Sequence, residues 1–139
     1  MIDTELLARI EPVFKSQKFM QHLGAQIVAL ETGMASLELN FEDSWSQQDG
    51  FFHGGVVGAL ADNAAGIAAV TSMREGGGCL TAEYKLNLLA PAKGDKIVAE
   101  GRVIKSGRNL VIAETDVYVF DQEKRVHCAI LLATLVTVS

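Results

Sequence analysis

The sequence predicts an α+β protein in which an antiparallel sheet of about six strands wraps round one long central helix, with a short helix leading in. Three observations carry that prediction. Residues 55–74 are rich in alanine and glycine and apolar on nearly every side, the mark of a helix buried all round. From residue 79 onward, four strand-like runs are separated by the short polar turns "PAKGD", "SGR" and "DQEK", as in an antiparallel meander. Residues 25–41 alternate in two runs about Glu31-Thr32-Gly33, a hairpin signal.

Taken in order, the chain opens with Leu6, Leu7, Ile10, Val13 and Phe14 at helical spacing. Thr4 is the expected N-cap, with Asp3 and Glu5 near the positive helix end, and Pro12 is expected to shorten or kink the helix. The hairpin follows, then a loop over 47–55, then the long helix from about 55 to about 74, with "GGG" at 76–78 expected to stop it. The strands "CLTAEYKLNLLA" (closed by Pro91), "DKIVAEGRVIKS", "NLVIAETDVYVF" and "RVHCAILLATLVTVS" complete the sheet. The helix therefore falls between the second and third strands. The length of 139 residues fits one domain, 1–139.

Composition excludes several function classes. A net charge of −5, with no run of Lys or Arg, offers nucleic acid no attraction. The first residues lack a basic segment, an apolar core and a cleavage site, so no secretory signal is expected. The apolar stretches 59–70 and 128–138 are too short or too polar to span a bilayer, so no membrane partner is expected, and a cytoplasmic location follows by elimination. Cys79 and Cys128 make no disulfide framework and have no metal-ligand spacing with the three histidines; they read as buried thiols, with no metal site.

Asp62 and Asn63 interrupt the apolar helix. A carboxylate among apolar groups costs several kcal/mol unless paired, its pKa tends to rise, and such acids mark candidate sites. On these residues alone two readings stand: Asp62 as a functional acid, or Asp62 on one wet face or capping a neighbouring loop. His53-Gly54-Gly55 leads directly into the helix. Glycines there leave the first backbone N–H groups open at the positive helix end, a ready oxyanion hole.

With Gln47-x-x-Gly50-x-x-His53-Gly54-Gly55, then Leu60-Ala61-Asp62, then "LTAEYKLNLLAPAKGD" at 80–95, the chain resembles the hotdog-fold acyl-CoA thioesterases of the phenylacetyl-CoA (PaaI-type) family over nearly all its length apart from the first helix. The resemblance implies hydrolysis of an acyl-CoA, aromatic or short to medium in chain length, to free acid and CoA. Coenzyme A is then part of the substrate, and no separate cofactor is expected. It implies that the Gly55 N–H polarises the thioester carbonyl, that Asp62 is general base or nucleophile, and that Thr81 helps hold the water. Gln47 stands where the family usually has Asn, one methylene shorter, to position the thioester or water. His53 and Gly54 are expected to shape the substrate-binding loop, with His53 fixing it through hydrogen bonds.

Phe52, with Trp45 and Phe51, is a candidate wall of an acyl pocket, and Lys105 and Arg108 in "KSGR" are candidates to meet the CoA phosphates. His22, at the opening of the first strand region, and His127, in the last strand, read as structural. Gly55 and Asp62 are seven residues apart, about 10 Å along one helix, so a single chain hardly supplies both to one thioester. A homodimer with shared sites, or a tetramer of two such dimers, is expected. Two other classes stand beside this one: a non-catalytic acyl-CoA-binding hotdog module, and a hydroxyacyl thioester dehydratase, whose "HFPG"-like segment the sequence lacks.

Overall fold

The computed structural model describes residues 1–138. Its elements run α1 (Thr4–Ser16), α2 (Lys18–Leu23), β1 (Gln26–Glu31), β2 (Met34–Asn40), α3 (Gly54–Thr71), β3 (Gly78–Leu88), β4 (Lys96–Ser106), β5 (Leu110–Asp121) and β6 (Lys124–Val138). The six strands form one antiparallel sheet in the order β1-β2-β4-β5-β6-β3, and it curls round α3 as the sequence predicts. β3 thus leaves α3 for the far edge of the sheet and pairs with β6, the strand latest in sequence.

The local details depart from expectation at four points. Asp3 rather than Thr4 caps α1, because one carboxylate oxygen accepts from both Glu5 N–H (3.0 Å) and Leu6 N–H (3.1 Å). Pro12 lies inside α1, and the helix continues to Ser16. The chain then restarts as α2, which ends at Gly24 in the left-handed region (φ 76°), so His22 lies on a helix and not on a strand. α3 ends at Thr71, short of 74 and before the glycines. The Thr71 hydroxyl bonds the Ala68 carbonyl (2.6 Å) and accepts the Gly33 N–H (2.7 Å), so the β1–β2 turn docks on the helix there.

Small residues let the sheet lie directly on α3. A Cβ at Gly101 of β4 would stand 2.6 Å from the Ala64 carbonyl, and Ala99, Ala113, Ala129 and Ala133 line the same buried face. The buried Thr115 hydroxyl fixes the helix to β5 by donating to the Ala61 carbonyl at 2.8 Å. α3 is long and apolar enough to cross a membrane, but 61% of that stretch is buried inside the fold. Gly101→Ala is expected to lower stability by about 1–3 kcal/mol through overpacking, read as a lower urea midpoint. An unchanged midpoint would show that β4 is free to move off the helix.

Candidate active site

The wrapped sheet leaves one acid of α3 facing a cavity. Asp62 is half-buried, and the Thr81 hydroxyl donates to its Oδ1 at 2.8 Å. Thr81 reaches it because β3 shifts register between Thr81 and Glu83, a bulge that re-aims side chains beside the helix. Burial pushes the Asp62 carboxyl above its ordinary value, and the Thr81 hydrogen bond partly opposes this by favouring the ionised form. The Cys79 thiol, two residues from Thr81, is also pushed up, by burial and then by the Asp62 charge, so it stays a protonated wall group. The cavity is about 740 Å³, within the usual range for a small-molecule site, and includes apolar side chains from α1, α3 and β3.

The other sequence candidates gather around the start of α3. His53 is the N-cap, and its Nδ1 accepts the Gly55 N–H at 2.8 Å. The donor expected for a carbonyl is therefore engaged by the chain's own imidazole. The Gly54 N–H, in contrast, has no acceptor among the described residues. Gln47 Oε1 accepts from Asp49 N–H (2.6 Å) and Phe51 N–H (3.0 Å), and its Nε2 donates to Asp49 Oδ2 (3.4 Å), which fixes the amide and leaves one of its two N–H groups for another acceptor. Gln47, Phe51, Phe52 and Gly54 share a second cavity of about 330 Å³ with Leu88 and Leu89. The structure brings Asp62 to Thr81 and Gln47 to Gly54, but the two pairs open on different cavities.

Residues 49–126 match the thioesterase superfamily. The chain belongs to that superfamily. A thioesterase family protein from Silicibacter pomeroyi is 34% identical with a TM-score of 0.93, the match covering 96% of this chain and 98% of that one. The human protein acyl-coenzyme A thioesterase 13 is 28% identical over 109 residues, 77% of each chain. The Escherichia coli PaaI protein of the phenylacetic acid degradation operon has the same fold at 18% identity, with a TM-score of 0.86 over 100% of this chain and 97% of that one.

In this thioesterase the remaining candidates are dispersed. Phe52 is buried edge-on against Phe41 (5.2 Å between centroids) while contributing to the smaller cavity. Trp45 is buried, donates to the Asn40 carbonyl (3.2 Å) and meets His22 edge-on. His127 pairs with Asp116 (2.9 Å) and stacks on Tyr118. Lys105 ends β4 in solvent. Arg108, in the next turn, faces an open groove with Arg74 and glycines 76–78. Sequence reasoning missed Arg74, which "GGG" separates from the strands, and it missed that α1 walls the Asp62 cavity. The signal for α1 was its apolar stripe, which read only as core.

Proposed function

We propose that this thioester hydrolase acts on acyl-CoA thioesters of aromatic or short-to-medium-chain acids, with each site shared between two copies of the chain. The observation that carries the reading is the half-buried Asp62, held by the Thr81 hydroxyl, at an apolar cavity. Asp62 either takes a proton from the water that attacks the carbonyl, the C–S bond then breaking and the proton passing to the departing CoA thiolate, or adds to the carbonyl itself, expelling the thiolate and leaving an anhydride that water hydrolyses to the free acid. Both routes require it ionised. The Gly54 N–H and Gln47 Nε2 of a second copy polarise the thioester oxygen, where donors aimed at developing charge lower the barrier. In this arrangement His53 positions the loop by holding the Gly55 N–H. Arg108, joined by Arg74 in a groove that also holds Glu75, supplies positive charge for the CoA phosphates. The chemistry asks for water and a carboxylate only.

The surface supports pairing. β3 is a long edge strand, with Leu80, Tyr84 and Leu88 exposed at 66%, 45% and 58%. Such an edge invites a partner strand. The test is thiol release from aromatic, short, medium and long acyl-CoAs, with kcat/KM of at least about 10⁴ M⁻¹s⁻¹ expected for one class. Acyl-CoA binding without thiol release would favour the non-catalytic module. Thr81→Val is expected to lower kcat more than it raises KM. It also removes the hydrogen bond that favours ionised Asp62, so the acid limb of the kcat profile should move to higher pH. A purely higher KM, with the limb unmoved, would make Thr81 a binding residue.

A further inference from the structure

The Asp62 cavity is bounded by two matched helix stripes. On α3 they are Asp62, Asn63, Gly66, Ile67 and Val70; on α1 they are Arg9, Ile10, Val13 and Phe14, followed by its C-cap Gln17. Each set steps along one helix face. The helices are tied at both ends and run in opposite directions: Asn63 Nδ2 donates to Gln17 Oε1 at 2.5 Å, while Arg9 donates to the Val70 carbonyl at 2.9 Å and the Met73 carbonyl at 3.4 Å. Between these ties lies an apolar groove with Asp62 near one end and the Arg9 guanidinium at the other. Leu135 and the β3 residues Cys79 and Leu80 complete it.

Its length is set by the helix. From Asp62 to Val70 is eight residues, about 12 Å at 1.5 Å per residue. Extended backbone covers 3.3–3.6 Å in three bonds, so about ten bonds fill that span. Beyond it an apolar tail would meet the Arg9 guanidinium and Glu75, whose hydration it would have to displace. Gly66 sits midway. A Cβ there would meet only Leu135 Cδ2, at 3.9 Å, so the backbone does not require glycine, and glycine costs a helix about 0.5–1 kcal/mol relative to alanine. Its missing side chain keeps the groove open.

Resting on the reading of Asp62 as the hydrolytic acid, we infer that α1 is the specificity wall and that the α1–α3 groove takes a straight acyl chain of medium length, octanoyl to decanoyl. A compact aromatic acyl group leaves the Arg9 half of the groove empty. The ends of the groove set the length, and Gly66 and Val13 set its width.

The experiment measures kcat/KM by thiol release for butanoyl-, octanoyl-, decanoyl-, hexadecanoyl- and phenylacetyl-CoA. The wild type should rise to octanoyl or decanoyl and fall for the other three. Gly66→Leu fills the groove from α3. Val13→Trp fills it from α1 at a position 64% exposed, where the fold tolerates the larger side chain. Each should lower the octanoyl-to-butanoyl ratio at least about tenfold, the scale on which a pocket reads added methylenes. A flat wild-type series, a preference for phenylacetyl-CoA, or two folded variants with the wild-type ratio would overturn the inference and leave the thioesterase reading standing. Thiol release from none of the five would overturn both.

Discussion

Asp62→Asn is expected to lower turnover at least about a hundredfold while the protein melts no lower than the wild type. The amide keeps the shape and still accepts the Thr81 hydroxyl, but it neither takes a proton from water nor adds to a carbonyl. Stability moves the other way because burial raises the Asp62 pKa. A group with a raised folded-state pKa contributes stability that is full below its unfolded value, about 3.9 for Asp, and lost as pH rises through the folded value. At neutral pH the wild type therefore holds an unfavourable buried charge that Asn removes. The melting difference between variant and wild type should grow from acid to neutral pH. Folded Asp62→Asn with near-wild-type turnover would remove Asp62 from the chemistry.

Two inactive variants, mixed, are expected to regain activity. Gly54 and Asp62 are eight residues apart, about 12 Å along α3, and open on different cavities. In the proposed dimer, two α3 helices running antiparallel across a two-fold axis would bring Gly54 of one chain to Asp62 of the other and make two equal sites. Asp62→Ala removes the acid. Gly54→Pro removes the free N–H at the first helical position, where proline fits, and His53 at φ −62°, ψ 136° has the backbone that precedes proline. A Cβ at Gly54 meets only the tip of Leu88, at 3.0 Å. After complete exchange half the dimers are mixed, each with one intact site, so about a quarter of wild-type activity should return. If mixed dimers of folded variants form and stay inactive, the shared-site arrangement is wrong.

What the sequence disclosed follows from the kind of physics involved. α3 and the six strands were legible because their apolar patterns are periodic and because Gly33, "PAKGD", "SGR" and "DQEK" punctuate them. Asp62 stood out because it broke an apolar run. The pairing of Asp62 with Thr81 depends on a bulge and on β3 crossing to the far edge of the sheet, neither of which a linear pattern carries. Which N–H at the start of α3 is free depends on the rotamer of His53, which sends Nδ1 to Gly55 and leaves Gly54 without an acceptor among the described residues. α1 carried the expected apolar stripe. Its role as a cavity wall appears only when Arg9 and Gln17 are seen tied to α3.

The placement of β3 also dictates when the site comes into being. β3 finds its in-chain partner only in β6, the fifteen-residue strand that leaves the ribosome last of the six. Until β6 emerges, Thr81 has no sheet to hold it and α3 has no far wall. Pairings so distant along the chain close slowly, and the half-made fold exposes an alanine-rich helix and an unpaired edge in the meantime. The Asp62–Thr81 contact therefore waits on the pairing of β3 with β6, and a lesion in β6 that loosens this pairing is expected to lower activity by freeing Thr81 from its place beside Asp62.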